Sequence, residues 1–412
     1  PGSLLVSAAA GSGKTAVLTE RIAQLVAEGC PLDRFLVITF TRAAAGEMKK
    51  RIGARLSQMA REPRWEDQAQ RLNSAAAGVG QASISTIDAF CAHVLRRHFH
   101  AAGLDPAFRA ADETQAAVLQ QEVWDQVLEE GYGEGALSGL SSLFDSEDTF
   151  LSSLQQLYEF LCAQPDMEAW LTQAHKAYQV DAAGLAASPH MAVFLQSRRR
   201  RLAARVQALA DRRDEIAEAY PNAAKVLDQE LFQVRALLLP HTYESLGAQL
   251  KSIAFGRLSW PRGTDGAVKE PVVKARNSLK RELEELGKEL ALPLSQHAAR
   301  LQELEPHIAR LKQLLLDFQA AYAARKGELG LVDYGDMERL ALGLLQQPRI
   351  AAEYQSRFQY VFVDEYQDVN PLQERIIQAV SRGDNLFLVG DVKQSIYGFR
   401  MAEPGLFLAK QA

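Results

Sequence analysis

The stretch Leu4-Leu5-Val6-Ser7-Ala8-Ala9-Ala10-Gly11-Ser12-Gly13-Lys14-Thr15 limits what this 412-residue chain can fold into more than any other part of it. An apolar run suited to a buried strand breaks at Gly11 and Gly13, which admit backbone angles that a Cβ forbids. The apolar spacing of Val17, Leu18, Ile22, Leu25 and Val26 then predicts an amphipathic helix. Strand, glycine loop and helix in that order make a phosphate cradle: successive backbone N–H groups from Ala8 to Thr15 and the positive helix end face an anion. Lys14 supplies a mobile charge for the β- and γ-phosphates, and Thr15 offers its hydroxyl to Mg²⁺. Ala8 stands where the strict pattern has its first glycine, so a plain surface turn is the alternative.

A second signal lies far downstream, where Tyr360-Val361-Phe362-Val363 reads as a short buried strand ending in Asp364-Glu365. A carboxylate at a strand tip is what the Mg²⁺ of such a site requires, and a second beside it can polarise the attacking water. Asp364 is thus the expected metal partner and Glu365 the expected base. An acidic turn after an edge strand is the plainer reading, and two complementary halves in one chain argue against it.

Strand composition recurs at Phe35 to Thr41, at Ala82 to Thr86 and at Leu386-Phe387-Leu388-Val389. Helical patterns lie between, at Ala43 to Met59 with Met48, Ile52 and Leu56 on one face, and through Phe90, Val94 and Leu95; a polar linker is expected from Arg61 to Gly80. This alternation predicts a parallel α/β sheet. From Asp112 to Gly330 the pattern stops, and Ala, Leu, Gln, Glu and Arg dominate. Asp112 with Gln115 reads as a capping box opening the first helix there. Two heptad-like seams follow: Leu202, Val206, Leu209, Ile216 and Tyr220, interrupted by Arg213, then Leu301, Leu304, Ile308, Leu311, Leu315, Phe318 and Tyr322. Packed helices are expected there, since Pro293 and Pro306 interrupt a coiled coil. Phe255 to Asn277 reads as a loop on its glycines and prolines. The basic run Ser197-Arg198-Arg199-Arg200-Arg201 is either a solvated helix face or a DNA-backbone contact.

The expected organisation is therefore an α/β, P-loop parallel sheet built from residues 1–105 and 331–412, interrupted by an all-helical insertion at 106–330. With 47% hydrophobic and 24% charged residues, a packed core is expected, and the net charge of −5 confines any nucleic-acid contact to a local groove. Three scattered cysteines, Cys30, Cys91 and Cys162, fit a reducing cytoplasmic setting rather than a disulfide framework or a metal knuckle. No long apolar span or signal-peptide pattern is present. The chain starts without Met immediately before its first strand, so a trimmed piece of a longer protein is expected.

Asp364-Glu365-Tyr366-Gln367-Asp368 and the later Val389-Gly390-Asp391-Val392-Lys393-Gln394-Ser395-Ile396-Tyr397-Gly398-Phe399-Arg400 resemble the Walker B segment and following motif of superfamily-1 helicases of the UvrD/Rep type. Phe40-Thr41-Arg42-Ala43-Ala44-Ala45-Gly46-Glu47-Met48 and Ser85-Thr86-Ile87-Asp88-Ala89-Phe90-Cys91 match two DNA-side motifs in the expected order. Within that family, the glycine-loop wording and Ala402-Glu403-Pro404-Gly405-Leu406-Phe407 resemble the AddA (RexA) branch, helicase-nuclease subunits of the bacterial AddAB recombination complex.

The resemblance implies a RecA-like fold, ATP and Mg²⁺, single-stranded and duplex DNA, an AddB-type partner, and 3′ to 5′ movement. It assigns Gly11 to Thr15 to phosphate and Mg²⁺, Asp364 to Mg²⁺, Glu365 to water activation and Gln394 to the γ-phosphate. Phe399 and Phe40 would stack on bases, with Thr41, Thr86, Tyr397 and Arg400 also on the DNA side. Arg42 and Asp88 stand where the family often has Asn and His. An adenine-reading motif before Pro1, and a second RecA-like half and a nuclease domain after Ala412, are further expectations. Alternatives are a UvrD-like repair helicase without a nuclease and a strand-binding module without turnover. A DNA-tethering ATPase of the SMC type would need a Leu-Ser-Gly-Gly-like stretch, which residues 352–359 lack.

Overall fold

The computed structural model describes residues 2–7, 13–133, 135, 137–394 and 401–411. In chain order the first elements are β1 (Leu4–Ser7), α1 (Lys14–Ala27), β2 (Phe35–Thr39), α2 (Arg42–Met59), α3 (Ala69–Gly78), β3 (Ser83–Thr86), α4 (Ile87–Arg97) and β4 (Arg109–Ala110). Helices follow: α5 (Glu113–Gly133), α6 (Ser138–Ser141), α7 (Glu147–Cys162), α8 (Met167–Lys176), α9 (Ala182–Ala186), α10 (Pro189–Ile216), α11 (Pro221–Arg235), α12 (Tyr243–Lys251), α13 (Gly266–Glu289) and α14 (Leu294–Glu328). The chain then returns through β5 (Leu331–Val332), α15 (Tyr334–Leu345), α16 (Pro348–Arg357), β6 (Tyr360–Val363), α17 (Pro371–Val380), β7 (Leu386–Gly390) and α18 (Pro404–Gln411). It divides into two compact units, one of residues 1–171 with 311–412, the other Thr172–Arg310.

The first unit holds a five-stranded sheet in the order β1-β7-β6-β2-β3, every pairing parallel. Residues from the two ends of the chain complete it: β7 inserts between β1 and β6, with Leu4 opposite Phe387 and Val6 opposite Val389. Alternate side chains leave opposite faces of a strand, and both faces here are covered. Phe35, Val37, Phe362, Phe387 and Val389 pack against helices α1 to α3. Leu36, Ile38, Val361, Val363 and Leu388 pack against α4 and α15 to α17. Leu18 and Ile22 of α1 are fully buried, each contributing about 1.5 to 3 kcal/mol of transfer free energy. Val17 faces solvent instead.

Where the sequence suggested a polar linker, Pro63–Gln68 forms a 3₁₀ turn and α3 follows, closing over the α1–α2 face with Leu72 fully buried. A ten-residue helix with Leu72 as its one buried side chain gives a weak periodic signal, which explains the difference. Asp112 and Gln115 do form the capping box: the Gln115 amide donates to Asp112 Oδ1 at 2.8 Å and the Asp112 amide to Gln115 Oε1 at 3.4 Å. Beyond it, a further core gathers α5, α7 and the second half of α14 around Trp124, whose ring stacks on Phe318 at 3.6 Å.

In the second unit the stretch read as a loop becomes helix at Gly266, where the Asp265 carboxylate caps the Ala267 amide at 2.9 Å. Pro271 lies inside α13 and Pro306 inside α14, so neither proline ends its helix. A proline inside a helix gives up one internal hydrogen bond; in α13 the packing of Leu279, Leu283 and Leu286 against α10 and α11 offsets it. Of the two seams, Leu202, Val206, Leu209 and Ile216 are buried, whereas Tyr220 lies past the end of α10 and Leu304 is exposed. The basic run faces an acidic face of α13: Arg198 meets Glu289 at 2.5 Å, and Arg201 meets Glu282 and Glu285. Cys30, Cys91 and Cys162 are free thiols. Among the described residues no helix is long and apolar enough to cross a membrane.

Candidate nucleotide and strand site

Because all five strands are parallel, their C-terminal ends lie along one edge of the sheet. Ligands of open parallel sheets bind outside that edge. The sequence places Asp364 one step past β6 and Asp391 one step past β7. The Asp364 amide donates to the Ile38 carbonyl at 3.0 Å, so the β6–β2 ladder carries its carboxylate to the tip of the sheet. Glu365, next in the chain, adopts a left-handed conformation (φ 52°, ψ 44°) that turns the backbone sharply beneath it. Gly13, the N-cap of α1, is also left-handed at φ +84°, which accounts for a glycine there. Ala8, Ala9, Ala10, Gly11 and Ser12 lie outside the described residues, as do Tyr397, Phe399 and Arg400.

Lys14 begins α1 and is buried, its side chain 8% exposed. Its ammonium donates to Glu365 Oε2 at 3.0 Å and to Gln394 Oε1 at 3.3 Å. The Gln394 amide donates in turn to Asp391 Oδ2, and the Asp391 backbone N–H donates to Gln367 Oε1 at 2.8 Å. Gln367 Nε2 closes a ring by donating to Glu365 Oε2 at 2.9 Å. Four of the predicted catalytic residues are thus together: Lys14, Glu365 and Gln394 in the ring, and Asp364 beside Glu365, whose amide donates to Asp364 Oδ1 at 3.1 Å. Gln367 and Asp391 complete the ring, and sequence reasoning gave them no role. Their only signal was a place inside two motif segments, since neither residue type advertises chemistry.

A cleft of about 410 Å³ opens beside this ring, lined by Thr15, Phe40, Asp364, Glu365 and Gln394 among others. Burial, and after it the neighbouring Glu365 charge, raise the Asp364 carboxyl to a pKa of about 6; Lys14 opposes this only in part. Asp364 is short of positive charge, which is the deficit a divalent cation fills. Thr15 and Asp364 border the same space, so hydroxyl and carboxylate together fit a Mg²⁺ held mainly by phosphate and water. Among the described residues no three His, Cys, Asp or Glu side chains form a metal cluster, and such a Mg²⁺ requires none.

A second cleft, about 540 Å³, runs along the same edge over β2 and β3, lined by Phe40, Thr41, Thr86, Asp88, Asp364 and Asp368 among others. Phe40 is half-buried and borders both clefts. Thr41 and Thr86 are helix N-caps: their hydroxyls accept from the Ala44 amide at 3.1 Å and the Ala89 amide at 3.3 Å. Two helix N-termini therefore meet this cleft, their positive ends set against the carboxylates of Asp88, Asp364 and Asp368 that also line it. Beneath it Glu338 is buried, accepting from Gln373 Nε2 at 2.8 Å. Burial and then the Asp88 charge push its carboxyl well above the ordinary range. Sequence reading missed Glu338, which sits unmarked inside an amphipathic helix.

A parallel sheet covered on both faces, with a lysine at the start of the first helix meeting acidic residues at the tip of a distant strand, defines a nucleotide-hydrolase fold of the P-loop class. The chain belongs to the UvrD/REP helicase N-terminal domain family, whose model matches residues 1–412. It is similar to ATP-dependent helicase/nuclease proteins of the AddA type. The one from Alkaliphilus oremlandii is 36% identical, with 99% of this chain covering 35% of that protein. The Geobacillus kaustophilus protein is 37% identical over the same shares, and the Moorella thermoacetica protein 39% identical, with 99% and 31% covered. The chain spans about a third of the length of these curated relatives.

Proposed function

We propose that this chain is the front motor portion of an ATP-dependent, 3′ to 5′ DNA helicase that works with a nuclease in double-strand-break repair and recombination. The observation that carries the reading is the Lys14–Glu365–Gln394 cluster, in which a phosphate-seeking lysine, a carboxylate and an amide from three motif segments converge. The family and the names of its relatives support the same reading.

In this reading ATP is the substrate, and its β- and γ-phosphates take the Lys14 ammonium from Glu365 and Gln394. Backbone N–H groups of residues 8–15 cradle the phosphates. Thr15 and Asp364 would hold Mg²⁺, which would supply neutralising charge to the phosphate oxygens. Glu365, released from Lys14, accepts a proton from the attacking water through its carboxylate. Gln394 turns toward the γ-phosphate, and the motif it belongs to continues to the strand-side residues Tyr397, Phe399 and Arg400. Phe399 and Phe40 stack on bases, which suits a motor that must ignore sequence, since every base presents a π-face. Thr41 and Thr86 orient strand phosphates at the two helix N-termini. Residues 106–330, helical apart from β4, act as an insertion in the ATP-binding domain formed by 1–105 and 331–412, and an AddB-type protein is the partner.

Strand displacement by the full-length protein together with that partner tests the reading. ATP-dependent unwinding that Lys14→Ala abolishes is the expected result. The 412-residue chain alone should bind single strands and nucleotide weakly but not unwind. ATP-independent unwinding, or none by the complete assembly, would refute it.

A further inference from the structure

We infer that Gln367 is a positioning residue for ATP hydrolysis, fixing which oxygen of Glu365 faces the attacking water and tying that carboxylate to the segment carrying Gln394. The inference rests on the reading of Glu365 as the base.

Gln367 is 1% exposed, and its amide is fully engaged. The two N–H bonds go to Glu365 Oε2 at 2.9 Å and Asp368 Oδ2 at 3.0 Å, while Oε1 accepts the Asp391 amide at 2.8 Å. A flipped amide would set its oxygen against two carboxylates and its NH₂ against an N–H, so only one orientation is tenable. Glu365 itself is only partly enclosed, its side chain 37% exposed. Both donors to Glu365, Lys14 and Gln367, take the same oxygen, Oε2, and among the described residues none donates to Oε1. Oε1 is therefore the oxygen left for a water proton. When Lys14 turns to phosphate, Gln367 is the remaining donor that holds the carboxylate.

Gly390 supplies independent support. A Cβ there would lie 2.5 Å from Gln367 Oε1, 2.9 Å from the Phe407 ring and 3.2 Å from the Gln367 backbone nitrogen, so β7 ends in glycine where the buried side-chain amide and that ring need the space. The same strand end delivers Asp391, whose carboxylate accepts from Gln394. Gln367 thus joins the β6 end, which carries Glu365, to the β7 end, which carries Gln394.

In the full-length protein, Gln367→Met keeps the volume and removes all three bonds. Single-strand-stimulated ATP turnover should fall in kcat on the order of 10- to 100-fold while KM for ATP changes by less than about threefold. Gln367→Glu keeps the acceptor for Asp391, loses the donor to Glu365, and should be as slow. Gln367→Glu decides the matter if Gln367→Met does not fold. The double variant of Gln367→Met and Glu365→Gln should turn over no more slowly than Glu365→Gln alone, since Gln367 acts through Glu365. Wild-type turnover in Gln367→Met or Gln367→Glu, a raised KM as the main effect, or additive losses in the double variant would overturn the inference. Glu365→Gln by itself separates the two failures: if it hydrolyses ATP normally, the base assignment falls; if it is inactive while Gln367→Met is normal, only the positioning role falls.

Discussion

The Lys14 ammonium donates to Glu365 Oε2 at 3.0 Å, joining residues 351 apart in the chain. That pair is the shortest statement of how the fold makes the site: β7 must slot between β1 and β6 before the start of α1 and the tip of β6 can meet. It also holds both groups in check, since neither a lysine committed to a carboxylate nor a carboxylate committed to a lysine is ready for phosphate or water.

The pair predicts a division of roles. Lys14→Ala should weaken ATP binding by about 10- to 100-fold, the worth of a hydrogen bond to a charged group. Glu365→Gln keeps the cradle and should bind ATP normally, while hydrolysis drops about 10²- to 10⁴-fold. Equilibrium nucleotide binding beside single-turnover hydrolysis reads both, and equal loss of affinity in the two variants would contradict the division.

Phe40 gives a second prediction, on the strand side. Phe40→Ala should cost about 1 to 3 kcal/mol in single-strand affinity with no preference among base sequences, and Phe399→Ala should do the same while uncoupling hydrolysis from movement. Fluorescence anisotropy with homopolymeric strands measures it. Unchanged affinity for Phe40→Ala would return that ring to a packing role.

Much of this was legible in the sequence because β2, β6 and β7 are buried almost throughout and carry near-continuous apolar runs, and because Lys14, Thr15 and Asp364-Glu365 are residue types with few other uses in such places. The helix at Gly266 was not, since Gly256, Pro261, Gly263, Gly266 and Pro271 outweigh a periodicity that starts only at Val272. Nor was α3, held by one buried leucine. Gln367 escaped because a buried amide has no signature of its own: what defines it is the distance to Asp391, which only the pairing of β6 with β7 creates.

Glu338 predicts a pH dependence of stability. Its folded-state carboxyl is raised by burial and by Asp88, so the folded chain holds a proton that the unfolded chain releases. Stability should therefore fall as pH rises from the ordinary carboxylate range toward about 8. Glu338→Gln mimics the protonated form, keeps an oxygen for Gln373, and should flatten that slope. Thermal melts of the 412-residue chain across this range decide it; a slope unchanged by the substitution would show that another group controls it.

Lys326 offers a structural test away from the site. Its buried ammonium sits against Asp333 at 2.7 Å and against Asp336, over the Tyr322 ring at 3.8 Å. Lys326→Met leaves two part-buried carboxylates facing each other with less positive charge and should destabilise the fold by about 3 to 5 kcal/mol. Chemical denaturation measures this, and a loss below about 1 kcal/mol, the range of an exposed pair, would contradict it.

The central claim is that the two ends of this chain assemble one ATP-hydrolysing site coupled to a DNA strand. Steady-state phosphate release by the full-length protein, with and without single-stranded DNA, measures it directly. The expected result is Mg²⁺-dependent release that rises on adding single strands of any sequence and is lost in Glu365→Gln. Release indifferent to DNA, or persisting at the wild-type rate in Glu365→Gln, would contradict it.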